Sequence, residues 1–246
     1  MTAAPTIPIT WCKRDPDSWL AQHFEGPVVH ATPGAFSERI EARALATHEL
    51  GPQPLWQGYG KDNRFGPTRL PNQVRTASAL GDVYSAIVRA RRPSTIVEFG
   101  TAFGVSGMYF LAGLEHNEHG SLFTFEPNEV WAGLARENLS AIGGRYQLTV
   151  GTFEDHVAPC LGDSERIDLA FIDAIHTPAF VLPQLELVLA RCRPDALVIL
   201  DDIHFSSAMR ACWEQLAVEA RFRASLTLGE RVGLLELSPA IHGAKP

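Results

Sequence analysis

From residue 96 to residue 237, short runs of β-branched and apolar residues alternate with amphipathic stretches of helical period. Such an alternation builds a parallel sheet with helices packed on both faces and right-handed crossovers. Strands are expected at 96–99, 121–126, 146–150, 167–173 and 196–201, with helices at 73–90, 105–114, 128–141, 153–161, 178–191 and 206–221. The uninterrupted apolar runs IDLAFID and ALVILDD suit strands buried on both sides. The pattern breaks at the end, where runs at 224–228 and 232–237 are joined by a short turn at Gly229 and Glu230. A terminal hairpin follows, placing an antiparallel strand in an otherwise parallel, doubly wound α/β sheet of seven strands.

The first 71 residues have a different texture, rich in proline and turns, with one clear helix at 37–50. Residues 57–72 read as a long loop of the kind that forms lids and binding segments. The chain therefore divides into an N-terminal helical and loop extension with a substrate lid (1–71) and a main domain (72–246). Trp11, Trp19, Trp56 and Tyr59 of the extension either line an aromatic-accepting pocket or anchor the segment to the core. With 46% hydrophobic and 20% charged residues, the chain can bury a sizeable core. No apolar run approaches the length of a membrane span, and the formal net charge of −7 opposes binding to phosphate backbones. Nucleic acid and membrane partners are not expected. Four scattered cysteines without zinc spacing, and no basic-then-apolar leader, point to reduced thiols and a cytoplasmic location.

The segment Glu98-Phe99-Gly100-Thr101-Ala102-Phe103-Gly104-Val105-Ser106 closes the first strand of the alternation and opens its helix. Glycines at 100 and 104 let the backbone turn sharply and approach a ligand, and the amides of the helix N-terminus then face it. A dinucleotide fingerprint would need glycine at 102 and 105, where Ala102 and Val105 stand, so a pyrophosphate site is not supported. Glu98, inside the strand, suits a cationic ligand. Glu126 ends the second strand, where an acid accepts the hydroxyls of a ribose.

EFGTAFGVS together with FTFEPN resembles motif I and the ribose-binding acid of class I S-adenosylmethionine-dependent methyltransferases. FIDAIHT and VILDDIH resemble the catechol and caffeoyl-CoA O-methyltransferase branch and the macrocin-type bacterial enzymes. The resemblance covers about residues 72–238 and implies a Rossmann-like domain that binds S-adenosylmethionine. It places Glu98, Gly100, Gly104 and Ser106 around the methionine part, with Thr101 and Ala102 in the same turn. Glu126, followed by Pro127, would hold the ribose, and Thr152 and Phe153 would lie beside the adenine. The family's acidic turn after the third strand is replaced here by Gly151-Thr152-Phe153-Glu154. A homodimer is implied only by the family.

Asp173 ends the fourth strand, and Asp201 and Asp202 end the fifth, on one rim of the sheet. Three like charges repel unless protons or a cation balance them. A hard divalent ion, Mg²⁺ or else Ca²⁺ or Mn²⁺, would do so, and the resemblance implies Asp173, Asp201 and Asp202 as its ligands. The alternative is that some of them cap helices or face the sulfonium. His176 stands where the plant-type enzymes carry lysine and is the first candidate general base. His204 is a second candidate base or a fourth ligand, and either histidine could be a bystander. The expected activity is metal-assisted O-methylation of a hydroxylated small molecule. Metal-free O- or N-methylation and a non-catalytic donor-binding protein are the alternatives.

Overall fold

The computed structural model describes residues 4–56, 66–162, 164–173 and 175–239. Its N-terminal segment contributes strand β1 (Thr6–Lys13), helix α1 (Trp19–His23), strand β2 (Val28–His30), helix α2 (Ser37–Glu49) and the short strands β3 (Gln53–Pro54) and β4 (Thr68–Arg69). Then follow α3 (Ser78–Arg91), β5 (Thr95–Phe99), α4 (Val105–Asn117), β6 (Ser121–Glu126), α5 (Glu129–Ser140), β7 (Tyr146–Val150) and α6 (Phe153–Leu161). The chain continues through β8 (Ile167–Ile172), α7 (Pro178–Leu189), β9 (Cys192–Leu200), α8 (Ser207–Leu216), β10 (Phe222–Leu228) and β11 (Val232–Leu237).

The main sheet runs in the order β2-β1-β10-β11-β9-β8-β5-β6-β7. Strands β5 to β9 are mutually parallel, and β11 enters antiparallel between β9 and β10. This is the expected doubly wound sheet with its terminal hairpin, and two N-terminal strands widen it from seven to nine. β1 pairs antiparallel with β10, and β2 with β1. Prolines at 5 and 8 hid β1 in the sequence, because proline lacks the ladder donor and is rare in paired strands. The Pro8 carbonyl still accepts from the Gly229 N–H at 2.8 Å.

Period two along each strand sorts side chains onto two cores. Ile96, Leu122, Leu169 and Phe171 face the side covered by α2, α3, α4 and α5, a core that also takes in Ile7, Leu20, Phe24 and Ile40 of the N-terminal segment. Val97, Phe99, Ala170 and Ile172 face α6, α7 and α8. The helix expected from residue 73 begins only at Ser78, after a 3₁₀ turn at Pro71–Gln73. The loop expected at 57–72 is described only from Gly66, so Tyr59 and most of the expected lid lie outside the described residues.

Helices α3 and α4 pack closely because α3 carries Gly81 where a Cβ would overlap the ring of Tyr109. That ring cannot swing away, since it is buried and its hydroxyl donates to Glu41 Oε1 at 2.8 Å. Gly81→Ala gains about 1 kcal/mol of helix propensity but overpacks this contact by about 1–3 kcal/mol. We expect a net loss of stability and a lower urea midpoint with unchanged slope; a midpoint at or above the parent's would refute the packing argument.

Candidate functional site

The carboxyl ends of β5 and β8 meet where the strand order reverses, the place where open α/β sheets bind ligands. After β5 the backbone turns through Gly100 (φ 87°), Ala102 (φ 46°) and Gly104 (φ 81°). Gly104 caps α4 in the left-handed region, and a Cβ there would lie 3.3 Å from the Ala135 backbone. The N–H groups of Gly100 and Thr101 both donate to the Phe125 carbonyl, and that of Ala102 donates to Glu126 Oε2 at 2.8 Å. The turn is thereby stitched to the end of β6. Gly100, Thr101, Ala102, Val105 and Ser106 form one wall of a cleft, and Asp173 lies in the same lining.

Glu98 lies beneath this cleft rather than in it. Its side chain is fully buried against α4, with Oε1 accepting from Ser106 Oγ at 2.5 Å and Oε2 from Thr124 Oγ1 at 2.6 Å. Thr124 has spent its proton on Glu98, so Thr101 donates to it, at 2.5 Å. The acid thus fixes the hydroxyls of two cleft residues, Ser106 directly and Thr101 through Thr124. Burial pushes its carboxyl up to about 7, against the pull of the two hydroxyls.

Glu126 ends β6 and accepts from the Ala102 and Asn128 amides, at 2.8 and 2.9 Å. Its carboxyl also rises to about 7, through burial, with the two amides opposing and Glu98 adding to the rise. Each oxygen keeps acceptor capacity, as a ribose would require. Pro127 follows, and Asn128 caps α5 while donating to the Pro54 carbonyl at 2.8 Å. At the end of β7, Thr152 caps α6 and donates to Asp155 at 2.6 Å. Phe153 is buried against Phe99 and Phe125. Its ring belongs to the core below the expected adenine position.

The acids at the ends of β8 and β9 converge as the sequence suggests. His176 Nε2 lies 3.6 Å from Asp173 Oδ1 and 3.5 Å from Asp202 Oδ2. His204 makes no ion pair with these acids among the described residues, and its buried Nδ1 has no partner there. The cation in the cluster is Arg231. Its Nε lies 3.0 Å from Asp201 Oδ1, its Nη2 2.6 Å from Asp201 Oδ2, and Nε is 3.1 Å from Asp202 Oδ1. Burial raises the Asp173 and Asp202 carboxyls, with Asp201 adding to both. Burial lowers the His176 imidazole, opposed by Asp202 and Asp201. The expected ligand set of Asp173, Asp201 and Asp202 does not fit a divalent ion: Asp201 has both oxygens on a guanidinium, and Asp202 has one there. No group of three or more acidic, histidine or cysteine side chains among the described residues is arranged to hold a metal.

Sequence reasoning missed Arg231, although the hairpin register contains it. Gly233 pairs with Leu200, so Arg231, just before β11, comes opposite Asp202. It also missed Val74, Arg75 and Thr76, which line the cleft opposite the Gly100 turn. The apolar period through 74 and 77 had placed them inside a helix. Arg75 is held by an ion pair to Glu41 and by a bond from its Nε to the Thr76 carbonyl at 3.0 Å.

Residues 97–203 match the family model described as a methyltransferase domain. Over 115 residues the chain is 34% identical to a provisionally named O-methyltransferase of Mycobacterium sp. (strain KMS), covering 45% of this chain and 50% of that protein. The chain thus spans about half the length of the curated relatives it matches. Among solved structures, the O-methyltransferase TomG of Streptomyces achromogenes, involved in tomaymycin synthesis and in complex with SAM, superposes with a TM-score of 0.61 at 20% identity. That match covers 82% of this chain and 90% of TomG. An O-methyltransferase of Bacillus cereus in complex with SAH gives 0.61 at 19% identity, over 89% and 96% of the two chains. The fold is that of these solved methyltransferases, and the Gly100 turn and Asp173 both lie within the matched residues 97–203. No helix among the described residues is long and apolar enough to cross a membrane.

Glu98 yields a prediction with a definite sign. Its neutral form is favoured in the folded state, so the stabilisation it brings is complete below its unfolded value of 4.5 and is lost as pH rises through about 7. Glu98→Gln removes that loss. Thermal melts should show the variant gaining on the parent between pH 5 and pH 8, by up to about 3 kcal/mol. A difference independent of pH would mean that Glu98 is ionised throughout.

Proposed function

We propose that this protein is an S-adenosylmethionine-dependent O-methyltransferase acting on a hydroxylated small molecule. One observation carries the reading: the turn at Gly100–Ser106 and the acid Asp173, beside His176, line a single cleft at the reversal of strand order. The residues suit the donor. The α4 N-terminus offers amides to the methionine carboxylate, Thr101 and Ser106 offer oriented hydroxyls, and Glu126 offers acceptors to the ribose. When bound, the donor supplies an electrophilic methyl group on a sulfonium.

The chain's own work is alignment and proton transfer. Glu98 and Glu126 lock the turn, so that the donor-binding amides need no rearrangement on binding. His176, flanked by Asp173 and Asp202, stands at the rim of this cleft and takes the proton of the acceptor hydroxyl at Nε2. Asp202 and Asp173 orient the ring. No step passes through a divalent ion.

Calorimetric titration with S-adenosylmethionine tests both halves of this reading. Glu126→Ala should weaken donor binding by roughly 10- to 100-fold, the worth of a charge-assisted hydrogen bond of about 1.5–3 kcal/mol. Glu126→Gln, which keeps an acceptor for the turn, should fall between. His176→Ala should leave donor affinity within about 3-fold while lowering turnover by roughly 10²- to 10⁴-fold. Absence of donor binding by the parent protein would sink the assignment, and full turnover in His176→Ala would remove its base.

A further inference from the structure

We infer that Arg231 is the resident cation of the acceptor site, taking the place of a divalent ion, and that the enzyme therefore methylates a single acidic hydroxyl, phenolic or enolic, without a chelating neighbour. The inference rests on the methyltransferase reading above and concerns how the same rim handles its acceptor.

Asp173, Asp201 and Asp202 come from adjacent parallel strands, and a positive partner relieves the repulsion between them. Arg231 provides it with the planar fork that suits a carboxylate: two nitrogens on the two oxygens of Asp201, and a contact from Nε to Asp202. The Asp201 side chain is only 3% exposed, while the Arg231 side chain, 44% exposed, lies over it on the solvent side. An entering ion would have to strip both oxygens from the guanidinium and leave a cation of like sign beside itself.

Backbone geometry makes the arrangement a property of the fold. The Ile203 N–H donates to the Arg231 carbonyl at 3.0 Å, and β11 pairs with β9 from Gly233↔Leu200 onward. The turn preceding Arg231 is fastened on its other side, where Gly229 N–H donates to Pro8. The guanidinium is therefore delivered to the two acids by the hairpin register.

The substrate class follows from the chemistry. A divalent ion holds an acceptor through two neighbouring oxygens and lowers the pKa of the bound hydroxyl. With a guanidinium already committed to Asp201, neither service is provided. Deprotonation falls to His176, and an imidazole serves best where the hydroxyl is itself acidic. A vicinal pair of hydroxyls then brings no advantage over one.

Mn²⁺ is the probe, followed by electron paramagnetic resonance on the full chain, with S-adenosylmethionine calorimetry on the same samples. The parent should leave Mn²⁺ free at about 1 mM, and Arg231→Met, which keeps the stem and removes the charge, should acquire a site that Asp173→Asn removes again. Arg231→Lys, holding the charge without the fork, should remain Mn²⁺-free and serves as the folded control if the methionine variant fails to fold. Acceptor screening by S-adenosylhomocysteine release should find monohydroxy phenols or enols turned over within 2-fold of one another in EDTA and in Mg²⁺. Tight Mn²⁺ binding by the parent or by Arg231→Lys, a folded Arg231→Met that binds none, or turnover restricted to catechols with Mg²⁺ would each overturn the inference. Donor binding separates the two levels: its absence defeats the methyltransferase reading, whereas Mn²⁺ binding with donor affinity intact defeats only the role of Arg231.

Discussion

Strands β5 and β8 lie side by side in parallel, yet the chain leaves them toward opposite faces of the sheet. Helix α4 packs its Met108 and Leu111 on one core, and α7 packs Val181 and Leu185 on the other. The two connections must part, and the gap between them is the cleft. Around that parting gather the Gly100 turn from β5, Glu126 from the neighbouring β6, and the acids from β8 and β9. Backbone bonds continue across it, from Asp173 N–H to the Phe99 carbonyl and from Asp201 N–H to the Ile172 carbonyl, so the rim is rigid where the chemistry would occur.

Such a rim concentrates acids, and the structure satisfies them by different means. Glu98 takes hydroxyl donors in a dry interior, and Gly107 of α4 leaves the room it needs, since a Cβ there would lie 2.9 Å from its Oε2. Glu126 takes backbone amides. Asp201 takes a guanidinium. The first two remain close to the point of protonation, because hydroxyls and amides offset burial only in part. Asp201 is instead held on both oxygens by Arg231, and Asp173, Asp202 and His176 are set around that pair.

The parallel half of the fold was legible because its strands are buried on both faces, leaving continuous apolar runs that only a covered sheet explains. β6, β7 and α6 fall where the alternation put them. β1 was not legible: TIPITWCK buries little beyond Ile7, and its proline argued against pairing. The site shows the same division. The place of Glu126 at the end of β6 and the meeting of three acids are local consequences of strand ends. The burial of Glu98 could have been read, since it shares parity with Ile96 and so points toward α4. Arg231 reaches Asp201 and Asp202, and the 74–76 segment reaches the cleft, through tertiary packing that no single local run encodes.

That register has a cause far away in sequence. The N-terminal segment clasps the hairpin that carries Arg231. Glu236 of β11, itself buried, accepts from the Trp19 and Leu20 amides at 2.9 and 2.8 Å, so the first turn of α1 sits on its carboxylate. Lys13 Nζ donates to the Glu219 carbonyl at 3.0 Å and to that of Phe222 at 2.5 Å, pinning the entry to β10. With the Gly229–Pro8 bond, these contacts hold the hairpin along its length. A terminal hairpin pairs with the parallel sheet through β11 alone, and a slip there by one residue would turn the guanidinium away from Asp201. The extra strands thus do more than widen the sheet: they remove the free edge along which such a slip would begin, and they keep the cation of the rim in register with its acids.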